Sequence, residues 1–239
     1  MPCLLTIETA TPVCSVALSV EGKSIFYRSD TAGAAHAAVL GVFASEAVND
    51  ARERGLAIDA VAVSAGPGSY TGLRIGISEA KGLCYGLGIP LIAVPTLKII
   101  ACRILQQRPG GYACPMIDAR RMEVYAALYD ARLNEIRMVQ ADSIDENSYS
   151  GYLEKQTVIF AGNGSDKCRT VIRSPNAVFL ENIYPTAQAM IPLAEAAFAR
   201  REFADTAYFE PFYLKEFQAT VGRNKVLGTA FVPAIKKQI

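Results

Sequence analysis

The sequence predicts an α/β protein built from two similar lobes, each a mixed β-sheet with helices. In the first half, three strand-like segments are followed by alternating helices and strands, in the order β-β-β-α-β-α-β-α. The second half repeats this order without repeating the sequence of the first. The chain has 239 residues, of which 51% are hydrophobic and 20% charged, so it is large enough to bury two cores.

The first half carries clear signals for where its elements begin and end. Glu21-Gly22 forms a hairpin turn, Gly55 ends the first helix, and Gly88 ends the second. No helix continues through the turn Gly66-Pro67-Gly68, and Pro95 begins the third helix. The predicted elements are strands at 3–8, 13–20, 23–28, 60–64 and 91–94, and helices at 32–54, 71–87 and 95–107.

The second half begins after a linker, Arg108-Pro109-Gly110-Gly111. We therefore predict a first lobe at 1–108, a second lobe at 109–215 and a C-terminal tail at 216–239. Three antiparallel strands continued by parallel crossovers, present twice, indicate the duplicated ribonuclease H-like fold, also called actin-like or ASKHA. The predicted elements are strands at 113–118, 123–129, 135–139, 158–161 and 177–180, and helices at 145–154 and 186–201 with a short helix between them.

Composition excludes several classes of protein. The 24 basic and 23 acidic side chains give a net charge of +1, which is not that of an electrostatic nucleic-acid binder. One histidine and six scattered cysteines without Cys-x-x-Cys spacing predict neither a metal site nor a disulfide framework. The apolar stretches are too short for a membrane span, and the first residues lack the basic region of a signal peptide, so we expect a cytoplasmic protein.

A glycine-rich loop links a predicted strand to a predicted helix. Its candidate anion- or nucleotide-binding residues are Gly66, Gly68, Ser69, Thr71 and Arg74. The loop is neither a Walker P-loop nor a dinucleotide fingerprint. Two interpretations remain: the glycines supply a tight turn and Ser69 or Thr71 caps the helix, or the loop binds phosphate.

Small residues recur every four positions on two helices of the first lobe. Gly72, Gly76 and Ala80 lie on one face of the second helix, and Ala37, Gly41 and Ser45 on one face of the first, beside the apolar Leu40. A glycine inside a helix costs about 1 kcal/mol relative to alanine, so close packing must offset it. The stripes either pack against each other within the lobe or form an interface with a partner's helices.

Catalytic motifs are lacking. Ser69 is not in a Gly-x-Ser-x-Gly elbow, because Pro67 occupies the first glycine position. His36 lies among alanines, where a surface or interface role is expected. The charged segment Asp118–Glu123 either holds an anionic ligand or forms a solvated turn.

Five segments resemble the TsaB family, also called YeaZ. The resemblance covers about residues 3–130. The segments that carry it are Leu5–Ala10 with Cys14–Leu18, Gly66–Gly76, Ala80–Leu83 and Asp118–Tyr129.

The resemblance implies a non-catalytic subunit that dimerises with and activates the threonylcarbamoyltransferase TsaD. That enzyme forms threonylcarbamoyladenosine beside the anticodon of tRNAs that read ANN codons. The two first-lobe helices would form the interface, predicted at Ala37, Leu40, Gly41, Ser45, Gly72, Gly76 and Ala80. The same surface would form a homodimer when the chain is alone, the ATPase TsaE would join the complex, and tRNA would be reached through it. ATP and metal would belong to the partner complex, with no cofactor bound by this chain.

The metal motif of the catalytic relative is replaced. Its His-x-x-x-His positions fall at Thr96 and Ile100, and neither residue can stand in for a histidine ligand. The chain also has Glu8 where family members often have Asp, and His36-Ala37 where they have His-Ser. The alternative hypothesis is that the chain is an actin-like ATPase or kinase that uses Glu8 and Asp118. A third hypothesis is that it is a peptidase.

Overall fold

The computed structural model describes residues 2–33 and 36–215 and contains two five-stranded mixed sheets. The predicted tail, residues 216–239, lies outside the described residues. In the first sheet the strand order is β3-β2-β1-β4-β5, and in the second it is β8-β7-β6-β9-β10. The elements are β1 (Cys3–Glu8), β2 (Cys14–Val20), β3 (Lys23–Asp30), α1 (His36–Glu53), β4 (Ala60–Ser64), α2 (Tyr70–Leu87), β5 (Leu91–Val94), α3 (Thr96–Gln107), β6 (Tyr112–Asp118), β7 (Glu123–Tyr129), β8 (Glu135–Ser143), α4 (Ser150–Leu153), β9 (Val158–Ala161), β10 (Ala177–Phe179) and α5 (Ala187–Ala199).

The two sheets have the same topology, which confirms the predicted duplicated fold. The central strand β1 is antiparallel to β2 and parallel to β4, and β6 is likewise antiparallel to β7 and parallel to β9. A register shift between Leu18 and Ser19 interrupts the β2–β3 pair. The predicted helix at 145–154 is reduced to one turn, α4, because turns built on the Asp145 and Ser148 side chains occupy its first half.

Helix packing crosses the predicted boundary between residues 108 and 109. The strands of the two sheets divide there, but α3 packs on the second sheet, where Leu97 and Ile104 join a core with Ala113 and Ile159. Conversely, α5 covers the first sheet, with Met190 in a core with other apolar side chains of β1, β4 and β5. Each lobe as a packed body therefore includes a helix from the other half of the sequence.

The start of α5 is fixed to the first sheet by hydrogen bonds. The Thr6 hydroxyl donates to the Ala187 carbonyl at 2.8 Å, and the Ala187 N–H donates to the Ser15 hydroxyl at 2.9 Å. Thr6 and Ser15 are fully buried on β1 and β2, so these bonds satisfy polar groups inside the core. The docking of α5 on the first sheet is thus specified by polar contacts as well as by apolar packing.

A return segment, residues 203–215, runs from α5 back over the first lobe. Its Ala204 N–H donates to the Leu91 carbonyl at 2.8 Å, forming a single bridge to the edge strand β5. Lys81 on α2 donates to the carbonyls of Ala207 and Phe209 at 2.9 and 3.2 Å. The segment then reaches the cleft between the lobes, where the Phe212 N–H donates to the Ala65 carbonyl at 2.8 Å.

Candidate functional site: the outer helix face and the interlobe cleft

The small-residue stripe of α2 faces the chain's own core, which corrects its assignment to a partner interface. A Cβ on Gly76 would lie 2.2 Å from the Thr9 hydroxyl oxygen, and one on Gly72 would lie 2.2 Å from the Thr9 carbonyl oxygen. Both glycines and Ala80 are buried. Leu40 on α1 is also a core residue, only 1% exposed. These four positions have no surface to offer a partner, because the turn after β1 packs against the two glycines and the apolar core of the first lobe encloses Leu40 and Ala80.

The other predicted interface positions do lie on the surface. Ala37, Gly41 and Ser45 are exposed on α1. On α2 the exposed small residues are Ser78, Gly82 and Gly86, which share a face different from that of Gly72 and Gly76.

Three of the exposed small residues are helix glycines without a packing role among the residues that the structure describes. A Cβ added at Gly41, Gly82 or Gly86 would meet no described atom within 4 Å. Tyr85, on the same side of α2, is 90% exposed, and Val42 on α1 is 55% exposed. An outward face of small and apolar residues on two adjacent helices suits the close approach of further helices. We call this surface, made of Ala37, Gly41, Val42, Ser45, Ser78, Gly82, Tyr85 and Gly86, the outer helix face.

Sequence reasoning missed the outward stripe of α2, although one signal was present. Gly82 lies in the middle of a helix, where it is as costly as Gly76. Ser78 and Tyr85 fall on the polar side of the helix, and a polar side predicts solvent exposure rather than close packing. The spacing of the glycines shows that stripes exist, but it does not show which stripe faces the sheet.

The glycine loop packs tightly against the turn after β1. The Ser69 N–H donates to the Ala10 carbonyl at 2.7 Å, and the Gly66 N–H donates to the Thr96 hydroxyl at 3.1 Å. A Cβ on Gly68 would lie 2.5 Å from the Ala10 carbonyl oxygen. The Ser69 hydroxyl caps α2 by accepting the Gly72 N–H at 3.2 Å. These contacts favour the tight-turn interpretation of the loop, and phosphate binding by it stays a prediction.

Arg74, predicted beside the loop, holds the return segment instead. Its Nε donates to the Tyr213 hydroxyl at 3.1 Å, and its guanidinium lies 4.1 Å from the centre of the Tyr70 ring. The Tyr70 and Tyr213 rings are 4.8 Å apart. Arg74 and the two tyrosines thus fix the return segment to the first turns of α2, while Thr71 is exposed nearby.

A cleft of about 710 Å³ lies between the lobes. The first lobe contributes the turn after β1 and the glycine loop, the second contributes the turn between β6 and β7, and the return segment closes one side. The residues that line it include Thr11, Ser69, Tyr70, Thr71, Asp118, Arg120, Arg121, Glu123, Tyr125, Asn163, Phe212, Tyr213 and Lys215.

The two carboxylates considered for phosphoryl transfer are not available together in this cleft. Glu8 is fully buried beneath it, with Oε1 accepting the Ala10 N–H at 2.6 Å. Burial raises the pKa of Glu8 to about 7, opposed by the Ala10 N–H and by the neighbouring Ser64 and Thr9. Asp118 lines the cleft but is paired with Lys167. The geometry therefore does not favour an ATPase or kinase.

Thr96 and Ile100, where the resemblance implies the metal positions of a catalytic relative, serve the fold here. Thr96 is buried and its hydroxyl accepts the Gly66 N–H, and Ile100 is a core residue of the second lobe. The single histidine, His36, lies with Nε2 2.8 Å from the Thr11 carbonyl oxygen. Within residues 2–33 and 36–215, no three His, Cys, Asp or Glu side chains are grouped as a metal site would require. No helix in that part of the chain is both long and apolar enough to traverse a bilayer.

Comparison with known proteins now identifies the family. The profile described as "TsaD: tRNA N6-adenosine threonylcarbamoyltransferase" matches residues 29–223. The chain belongs to this family. Relatives include the tRNA threonylcarbamoyladenosine biosynthesis protein TsaB of Escherichia coli, 29% identical over 89% of this chain and 94% of that protein. The TsaB of Bacillus subtilis is 40% identical over 34% of this chain and 35% of that protein.

Solved structures of the TsaB group have the same fold. YeaZ from Pseudomonas aeruginosa superposes with a TM-score of 0.78 at 29% identity, covering 90% of this chain and all of that one. These findings confirm the predicted resemblance to TsaB and YeaZ and the predicted two-lobed actin-like architecture.

Proposed function

We propose that this chain is a non-catalytic subunit in the formation of threonylcarbamoyladenosine on tRNA, and that it acts by dimerising with and activating TsaD. The TsaB relatives are named for this biosynthesis. Thr96 and Ile100 stand at the catalytic relative's metal positions and have structural roles here, which supports a role without catalysis. In this proposal the chain is cytoplasmic, TsaE joins the complex, and ATP and metal are bound by the partners.

The outer helix face is the observation that carries the dimerisation proposal. Gly41, Gly82 and Gly86 each weaken a helix by about 1 kcal/mol relative to alanine, and a Cβ added at any of them would meet nothing within the described chain. A partner helix packed against them would explain this cost, because glycine permits close backbone approach. The same face would bind a second copy of this chain when TsaD is absent.

The test is light scattering after size-exclusion chromatography of the chain, alone and mixed with TsaD of the same organism. Wild type should form a one-to-one heterodimer. Gly82→Arg should weaken that complex at least ten-fold, because an arginine would hold the helices apart. Gly151→Arg is the matched control, since Gly151 is an exposed helix glycine of the second lobe, also with no atom within 4 Å of an added Cβ. Equal binding by Gly82→Arg and wild type would exclude this face.

Activation is tested separately from assembly. TsaD should form threonylcarbamoyladenosine faster when this chain is added, and Gly82→Arg should require a higher concentration for the same effect. If the heterodimer forms but the rate of TsaD is unchanged, the chain is still a partner of TsaD, and the proposal that it activates TsaD is wrong.

A further inference from the structure

The turn between β6 and β7 is held in a demanding backbone conformation. Arg120 and Arg121 are consecutive residues with φ of 71° and 49°, a region that favours glycine or asparagine. Three hydrogen bonds within the segment fix the turn: Asp118 Oδ1 accepts the Arg120 N–H at 3.2 Å, the Ala119 N–H donates to the Glu123 carbonyl at 3.0 Å, and the Glu123 N–H donates to the Arg120 carbonyl at 3.1 Å. Side chains on such a turn have little backbone freedom left to lose when they bind a ligand.

A lysine from the neighbouring 3₁₀ turn reinforces this arrangement. Lys167 pairs with Asp118 and donates to the carbonyls of Arg121 and Glu123 at 2.6 and 2.7 Å. Its ammonium thus uses all three donors on the turn. Lys167 is therefore a structural brace, and it also neutralises one of the two acidic side chains present there.

The other acidic side chain, Glu123, is paired with a lysine as well, so it forms no close ion pair with either arginine. Glu123 pairs with Lys215 of the return segment, whose hydrogen bond and charge are the main causes that lower the pKa of Glu123. Arg120 and Arg121 are both exposed. Within residues 2–33 and 36–215, neither guanidinium forms a hydrogen bond or an ion pair within 4 Å. The cleft mouth therefore carries two positive charges that the described chain leaves unpaired.

The surroundings of these arginines favour a ligand that arrives from outside the cleft. Deep in the cleft, the return segment fills the space beside the glycine loop, since a Cβ on Gly66 would lie 2.4 Å from the Phe212 carbonyl oxygen. The loop N–H groups of Gly66 and Ser69 are already bonded within the protein. An extended chain of phosphates can lie along the rim, where the two arginines are exposed.

We propose that Arg120 and Arg121 bind the phosphodiester backbone of RNA at the mouth of the interlobe cleft. A guanidinium binds phosphate oxygens through two parallel hydrogen bonds, and contacts of this kind position a protein on RNA without reading its sequence. The exposed hydroxyls of Ser69 and Thr71 on the opposite wall supply neutral donors. This inference deepens the proposed function, since it assigns part of the tRNA contact to this chain.

The experiment measures binding of an unmodified tRNA transcript by fluorescence anisotropy, with the full chain alone and as an equimolar mixture with TsaD. The double variant Arg120→Ala/Arg121→Ala should bind about ten-fold more weakly at low salt. The slope of log K against log salt concentration should be shallower for this variant by roughly 1.4 to 1.8, the value for two lost phosphate contacts. The control with the same change in net charge is Arg132→Ala/Arg201→Ala, two exposed arginines outside the cleft.

Each other outcome overturns the proposal. Equal losses in both double variants would mean that only net charge matters, and no loss in the cleft variant would leave the turn a structural element. Magnesium–ATP that binds through the same arginines and displaces the transcript would make this a nucleotide site. A cleft variant that no longer joins TsaD in light scattering would make it a protein contact. Failure of the proposed function is distinguished by Gly82→Arg, which reports on assembly without altering the arginines.

Discussion

The turns that follow β1 and β6 occupy equivalent places in the two lobes, but their chemistry differs. After β1, residues 9–12 are apolar or hydroxyl-bearing. They form hydrogen bonds with α2 and the glycine loop, above a buried Glu8. After β6, the turn is charged, exposed and braced by Lys167. Duplication of a fold has thus produced one turn that serves packing and one that presents charge to the cleft.

The largest expected effect concerns Glu8 and acts through pH. Because its folded pKa is about 7 and its ordinary value about 4.5, the folded protein binds this proton more tightly than the unfolded chain. Its stabilising contribution is complete below pH 4.5 and is lost as pH rises to 7. The free energy of unfolding should therefore fall by about 3 kcal/mol over this range relative to Glu8→Gln, since each pKa unit is worth about 1.4 kcal/mol.

Urea denaturation of wild type and Glu8→Gln at pH 5, 6, 7 and 8 measures this difference. The variant should be about as stable as wild type at pH 5 and more stable at pH 8. Parallel pH profiles would show that Glu8 is ionised in the folded protein throughout.

A glycine comparison on α2 tests the packing of the first turn. Gly76→Ala places a methyl group 2.2 Å from the Thr9 hydroxyl oxygen, and we expect it to lower the free energy of unfolding by about 1 to 3 kcal/mol. Gly82→Ala is the matched control in the same helix and should raise it by about 0.5 to 1 kcal/mol, because the site is open and alanine favours the helix. A stable Gly76→Ala variant would contradict the buried assignment of this face.

Replacement of Lys167 should destabilise the turn between β6 and β7 and have little effect on the rest of the protein. Lys167→Met retains the aliphatic stem but loses the bonds to Asp118 and to the Arg121 and Glu123 carbonyls, and should cost about 1 to 2 kcal/mol. Lys155→Met, at an exposed position of the same lobe, should change stability by less than about 0.5 kcal/mol. Amide hydrogen exchange should speed up at residues 119–123 in the first variant and stay unchanged in the second.

The smallest effect is expected for the arginines themselves. Arg120→Ala/Arg121→Ala should change the free energy of unfolding by less than about 0.5 kcal/mol, because both side chains are exposed and unpaired within the described residues. Thermal unfolding of this variant beside wild type checks the value. A decrease of more than 2 kcal/mol in the free energy of unfolding would mean that the two guanidiniums stabilise the turn and are not free to bind a ligand.

The element order was predictable from sequence because the local signals agree with one another. Gly55 and Gly88 end helices, and the strands alternate with them in both halves. The sheets on which α3 and α5 pack were not predictable, because an apolar helix face does not specify which of two sheets it covers. The burial of Gly76 was also missed, since Thr9, whose side chain fills the space beside it, lies 67 positions earlier in the chain.

The exchange of helices between the lobes has a consequence for the chain as a whole. A polypeptide cut between Arg108 and Pro109 would give one fragment with α3 but without its sheet, and another with α5 but without its sheet. Each fragment would expose the surface that the other covers. The two pieces would form a complementing pair, in which neither folds until both are present.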